Sequence, residues 1–301
     1  MKRRTFLGGA VGGGAGAVLG NCLSSLPKAE AAPVDASPTA VVPLGKHVKA
    51  SRIGMGFGMR GWLRESNLSR RGLDHAKKVV RYAYEAGVRF FDNADLYGSH
   101  GYVAEALADL PRESYVLSTK IWFHPNGLPE KERPDADVAV ERFLKELKTD
   151  YIDVVQIHCM SKRGWPDEMR KQMDILERLK EKGVIRAHGV SCHSLAALEA
   201  AAESDWVDVV HSRVNHKGVK MDGKPEEVVA ALRKIHDAGK GVVAMKLCGE
   251  GAFRDDPNLR DESIRFVLGT GCVDVMIVGF ELPEEIDDFK ARVAKALTAV
   301  A

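Results

Sequence analysis

Cysteine is scarce in this chain of 301 residues: five in all, none in a Cys-x-x-Cys pair. Beyond Cys22, the four that remain (Cys159, Cys192, Cys248 and Cys272) are widely spaced. Such spacing gives no metal-binding signature, so no metal is expected, and the thiols read as free and buried; sequence alone assigns no disulfide. A surplus of one charge is also missing. Lys+Arg number 44 against Asp+Glu 42, a net charge of +2, and no basic-aromatic stripe stands out, so a nucleic-acid partner is not expected. Long apolar runs are absent as well. The uncharged stretch from Thr5 to Leu26 is broken by glycines at 8, 9, 12, 13, 14, 16 and 20, which makes it a poor membrane helix; stable membrane insertion is not expected. What is present is 45% hydrophobic and 29% charged residues, an ordinary globular composition with enough apolar material for one sizeable core.

The N-terminus reads as a targeting segment. Lys2-Arg3-Arg4-Thr5-Phe6-Leu7 sets paired arginines ahead of the uncharged run, and Ala29-Glu30-Ala31 is a small-x-small cleavage site. The pattern resembles a twin-arginine export signal spanning residues 1–31, with Lys2 where a serine is typical; a plain basic Sec signal is the alternative. Cleavage near Ala31 and a periplasmic location are expected, or a cytoplasmic one if the signal goes unused. Residues 32–51, rich in Ala, Pro and Val, read as a linker or N-terminal arm.

From Arg52 onward, compact apolar strands alternate with amphipathic helices. Strands are expected at Ile53–Gly58, from Val88, at Tyr115–Ile121, Tyr151–Ile157, Val184–Val190, Val207–Val210, Gly241–Leu247 and Val273–Val278. Helices intervene, such as Leu73–Ala86 with Ala76, Val79, Val80 and Ala83 on one face and Gly87 as C-cap. Continuously apolar strands between helices require a parallel sheet covered by helices, and eight such units match a single-domain α/β fold over residues 52–301, the closed (β/α)8 TIM barrel. The rival, an open doubly wound sheet, lacks the Gly-x-Gly-x-x-Gly expected after its first strand.

On a barrel, the ends of consecutive strands converge on one mouth. Asp92 and Tyr97 follow the second strand, Lys120 closes the third, and His158 follows the fourth. Each has an ordinary structural explanation when taken singly. Together they form a proton-donating group. Asp92 is a partner for a lysine too buried to stand alone. The Lys120 ammonium is expected to lower the phenol pKa of Tyr97 from about 10. His158 adds a hydrogen bond at the same oxygen. The set has no strong nucleophile, which suggests proton donation to a carbonyl oxygen with hydride coming from a cofactor.

Phe91-Asp92-x-Ala94-x-x-Tyr97-Gly98 resembles the first signature of the aldo-keto reductases, and Leu144-x-x-Leu147-x-x-Asp150-Tyr151-Ile152-Asp153 leading to His158 is similar to the second. Ser118-Thr119-Lys120 and Gly189-Val190-Ser191 resemble further family motifs, so that nearly all of residues 52–290 is covered. The resemblance implies an NAD(P)-dependent oxidoreductase that reduces aldehydes or ketones to alcohols, or the reverse. Tyr97 would be the general acid, with Asp92, Lys120 and His158 orienting it. It implies cofactor contacts at Ser191, His211, Lys246, Gly279 and Phe280, and substrate contacts at Trp62, Trp122 and His124. Lys246 reads equally as a pyrophosphate ligand or a strand-end cation. Glu281, Glu284 and Glu285 stand where a 2′-phosphate clamp is usual, so the dinucleotide is NADP or NAD, with NAD better suited to the carboxylates. A small carbonyl compound is the expected partner, together with a redox partner to regenerate the cofactor outside the cytoplasm. The alternative is an exported nucleotide-binding barrel acting as a redox sensor or regulatory subunit with little turnover.

Overall fold

The computed structural model describes residues 36–300. The expected signal segment lies outside the described residues. Residues 41–51 depart from the expected linker. They form an antiparallel hairpin of β1 (Val41–Leu44) and β2 (Val48–Ser51), turned by Gly45 at φ +63°. The segment folds because Leu44, Val48 and Ala50 have somewhere to be buried, under the first ring of side chains inside the barrel.

Eight parallel strands close that barrel: β3 (Ile53–Gly56), β4 (Phe90–Asp92), β5 (Val116–Ile121), β6 (Ile152–Met160), β7 (Ile185–Cys192), β8 (Val209–Arg213), β9 (Gly241–Met245) and β10 (Val275–Val278). They lie in sequence order, and β10 pairs with β3 to complete the ring. The expected (β/α)8 architecture is therefore the observed one. Outside stand α2 (Leu73–Glu85), α3 (His100–Ala106), α4 (Ala136–Leu147), α6 (Arg170–Glu181), α7 (Leu195–Glu203), α8 (Pro225–Asp237), α9 (Pro257–Gly269) and α10 (Pro283–Val300), with the single turns α1 (Asn67–Arg70) and α5 (Trp165–Glu168) between them. In α2 the buried residues are Ala76, Val79, Val80 and Ala83, the stripe that 3.6-residue periodicity demands. α5 and α6 are separated at Met169, whose φ of −103° breaks the helical run.

The strand period of two arranges the interior in layers. Phe90, Val116, Val154, Ala187, Val209, Val243, Val275 and Ile277 form one apolar cluster with the hairpin. Two residues further along the strands, the same face carries Asp92, Ser118, Gln156, Gly189 and His211, and after two more it carries Lys120, His158, Ser191 and Arg213. A dry floor thus supports a polar layer that opens towards the C-terminal ends of the strands, where barrel chemistry is found.

Candidate active site

Lys120 and Asp92 are both buried, and the ammonium uses each of its three donors: Asp92 Oδ1 and Oδ2 at 2.6 Å each, and the Asn93 carbonyl at 3.0 Å. Asp92 Oδ1 also accepts from Ser118 Oγ at 3.1 Å and from His211 Nε2 at 2.9 Å. Burial alone would raise the Asp92 carboxyl. The Lys120 and His211 donors outweigh it and hold the group ionised, below the ordinary carboxylate range. Burial, opposed by Asp92, pulls Lys120 below its usual value.

Tyr97 ends a 3-10 turn (Asp95–Tyr97) that follows β4 and is closed by Gly98 in the left-handed region at φ +62°. A side chain at position 98 would place Cβ 2.0 Å from the Arg64 carbonyl oxygen, so only glycine allows this turn. The phenol ring lies in a slot made by two further glycines. A Cβ at Gly58 would meet Tyr97 Cζ at 2.6 Å, and one at Gly61 would meet Cδ1 at 2.5 Å. The hydroxyl is 3.3 Å from His158 Nε2.

The electrostatics of Tyr97 depart from the sequence expectation. Its pKa is raised, not lowered: burial dominates, the Asp92 carboxylate and Cys159 add to it, and Arg213 opposes weakly. Lys120 Nζ is 5.4 Å from the ring centroid, but its charge is neutralised by two carboxylate contacts, so it does not favour a phenolate at rest. Burial, then the Lys120 charge, push His158 well below the ordinary imidazole value, leaving it neutral. Before reaction the site therefore holds a protonated phenol beside an uncharged imidazole.

A cavity of about 640 Å³ opens above this pair. Of the residues assigned to a cofactor, Ser191, Lys246, Gly279 and Phe280 line it; Ser191 Oγ also accepts from the Cys159 amide at 2.8 Å. His211 does not line it. Two residues after inward-facing Val209, it points into the layer below and is spent on Asp92, which corrects the cofactor contact implied by resemblance. Lys246 Nζ pairs with Glu250 at 2.9 Å. Trp122 packs edge-on against His158 with centroids 5.1 Å apart and carries His124 at 4.7 Å and Trp62 at 6.0 Å, so these three form an aromatic wall beside Tyr97 and His158, outside the lining of the cavity.

Other polar residues of the region were legible only in part. Asp95 is buried and clamped by Arg64 at 3.3 Å and Arg142 at 2.7 Å. His100 is buried too, and bridges Thr119 and Glu146 at 2.7 Å each. Arg213 and His193 meet at the mouth, His193 lining the cavity. Counting by twos from Val209 finds both His211 and Arg213, and the same count from Ala187 through Gly189 and Ser191 reaches His193, one residue past the end of β7. At the far end of the cavity, the amides of Glu281 and Leu282, just before α10, both donate to Glu285 Oε2 at 2.7 and 3.3 Å, so these donors are already taken by a carboxylate. Arg71 and Arg254, basic residues the linear sequence did not bring to this end, pair with Glu281 and Glu285. All four cysteines of the barrel are free thiols. Among the described residues no cluster of His, Cys, Asp and Glu is placed to hold a metal, and no helix is long and apolar enough to cross a membrane.

The chain is similar to known proteins in sequence and in fold. The model of the aldo/keto reductase family matches residues 52–266. Aldo-keto reductase AFTS1 of Alternaria alternata is 27% identical over 224 residues, covering 64% of this chain and 60% of that protein. Methylglyoxal reductase DkgB of Salmonella typhi is 31% identical over 131 residues, 43% of this chain and 47% of the other. The chain thus spans about three fifths of one curated relative and about half of the other. In three dimensions, aldo-keto reductase AKR11C1 from Bacillus halodurans (holo form) shares the fold with a TM-score of 0.66, at 19% identity over 87% of this chain and 96% of that one. With the family model matched over residues 52–266, well over half of its length, the chain belongs to the aldo/keto reductase family.

Proposed function

We propose that this chain reduces aldehyde or ketone carbonyls with a nicotinamide dinucleotide, Tyr97 being the general acid. The observation that carries the reading is the Tyr97 hydroxyl, 3.3 Å from neutral His158 at the floor of the cavity and backed by the saturated Lys120–Asp92 pair. The cofactor fits what is there. A cavity of about 640 Å³ lies in the size range of cofactor sites, and it runs from the phenol to acceptor carboxylates at Glu281 and Glu285. Ser191, Lys246, Gly279 and Phe280 would hold the dinucleotide. Glu285 occupying the amides before α10 opposes a 2′-phosphate and favours NADH. When bound, the reduced nicotinamide supplies hydride to the carbonyl carbon.

The protein's own part is the proton. Tyr97 and His158 take the substrate oxygen between them, and Tyr97 donates its proton as negative charge develops there. The phenolate left behind lies with the Lys120 ammonium 5.4 Å from the ring centre, and the Arg213 charge favours it. Asp92, tied by Ser118 and His211, keeps the ammonium from moving to the phenol. Trp122 shields the imidazole from bulk water.

The test is NADH and NADPH oxidation by the full chain with methylglyoxal and a series of simple aldehydes and ketones. Turnover with at least one carbonyl and tighter binding of NADH than of NADPH are expected. Tight nucleotide binding without oxidation across the series would instead support the sensor reading.

The paired arginines of the N-terminal segment support a second statement, that the protein is exported through the twin-arginine route. Because that route carries folded proteins, cofactor would travel bound, and a redox partner would recycle it outside the cytoplasm.

A further inference from the structure

His193 lines the cavity without a part in the proton transfer described above. It stands just beyond β7, two residues after Ser191, and its ring centroid is 6.4 Å from that of His158. Behind it is Arg213, whose Nη2 donates to His193 Nδ1. Arg213 is anchored in turn, through Nη1, by the buried Asp222 carboxylate at 3.3 Å and the Lys220 carbonyl at 3.3 Å.

A guanidinium has donors only and keeps its charge. Nδ1 is therefore the accepting nitrogen, and the ring proton of neutral His193 resides on Nε2. Burial, followed by the charges of Arg213, Lys246 and Lys120, pushes the imidazole down to about 3, so this tautomer persists at every pH at which the enzyme would work. No described residue accepts from Nε2. The cavity wall thus presents a second, oriented hydrogen-bond donor beside the pair that holds the reacting oxygen.

We propose that His193 is a specificity-determining residue whose Nε2–H donates to a second oxygen on the carbon next to the reacting carbonyl, which makes α-oxygenated carbonyl compounds the preferred substrates. The inference rests on the carbonyl-reductase reading above. One oxygen sits between Tyr97 and His158 while its neighbour meets His193, a spacing one small molecule can span. A substrate lacking the second oxygen leaves the imidazole N–H without a partner once water is displaced, and sites built to hydrogen-bond a substrate group discriminate by that penalty.

The experiment compares ethyl pyruvate with 2-pentanone, methyl ketones of which only the first carries the adjacent oxygen. Wild type, His193→Phe, His193→Asn and His193→Gln are assayed for KM and kcat, with Kd for NADH measured by fluorescence titration. Phe removes the donor. Asn keeps an oxygen for Arg213 but withdraws the donor from the cavity, and Gln restores an N–H near the position of Nε2. In the Phe and Asn variants kcat/KM for ethyl pyruvate is expected to fall about tenfold or more, mainly through KM, with 2-pentanone changed less than about threefold and Kd for NADH unchanged. Gln should recover most of the loss. Equal losses on both ketones, or a weakened Kd for NADH without discrimination between ketones, would overturn the role assigned to His193. A wild-type enzyme that reduces neither ketone nor any aldehyde would overturn the carbonyl-reductase reading itself.

Discussion

At the scale of single residues, the site is a problem in placing charge without water. Asp92 carries a full negative charge in the barrel interior, and four contacts on its two oxygens make that tolerable: two from Lys120, one from Ser118 and one from His211. His211 is the member a linear reading assigns elsewhere, because a strand-end residue six strands into the barrel looks like a cofactor ligand until its register is counted from Val209. Replacing it by Leu removes a charge-assisted hydrogen bond, worth about 1.5–3 kcal/mol in general. We expect His211→Leu to lower kcat roughly tenfold or more and to displace the pH profile, with KM little changed, whereas His211→Gln, which keeps an N–H, stays within about threefold. A loss in Gln equal to that in Leu would mean that ring packing, not the bond to Asp92, is what matters. The Tyr97 electrostatics were not legible in sequence for a related reason. The pairing of Lys120 with Tyr97 is visible as strand ends sharing a mouth, but the saturation of the ammonium by Asp92 and Asn93 depends on side-chain directions.

At the scale of elements, the loop after β4 determines whether Tyr97 reaches His158. Gly98 closes the turn at φ +62° against the Arg64 carbonyl, and Asp95 anchors its start between Arg64 and Arg142. Gly98→Ala is expected to cost about 2 kcal/mol or more and to abolish most activity, since both positive φ and the close approach forbid a Cβ; a urea midpoint within error of wild type would contradict this. The packing of α3 on α4 has its own pH signature. Burial would raise the Glu146 carboxyl, but His100 and Arg142 outweigh it and hold it at about 2, below the ordinary 4.5. A depressed carboxyl contributes stability that is fully present above pH 4.5 and is lost as the pH falls towards 2. Because Glu146 is partly solvated, we expect Glu146→Gln to remove on the order of 1 kcal/mol of that acid-dependent stability. The check is the difference in urea midpoint between pH 7 and pH 3, which should be smaller in the variant.

At the scale of the whole molecule, the barrel was legible because its strands are buried on both faces and its helices on one, two patterns that a sequence shows directly. Val116–Ile121, buried throughout, and the Ala76, Val79, Val80, Ala83 stripe of α2 are examples. The hairpin of residues 41–51 was not legible. Its short strands earn their structure only from the floor they cover, a non-local contact with Phe90, Val154 and Val243 that local composition cannot announce. Export is the property of the entire chain that remains a proposal. Substituting Arg3→Lys and Arg4→Lys together should leave the protein in the cytoplasm, folded and active, when cell fractions are assayed. Unchanged export would reject the twin-arginine route and favour a plain basic signal.

The central claim is that Tyr97 is the proton donor. Its most direct test is single-turnover reduction of a carbonyl substrate by enzyme preloaded with NADH, comparing wild type with Tyr97→Phe. The phenylalanine ring keeps the slot between Gly58 and Gly61 filled, so folding and the Kd for NADH should be preserved. Hydride transfer is expected to slow by about 10²-fold or more, the usual contribution of general acid catalysis. Transfer at the wild-type rate would contradict it.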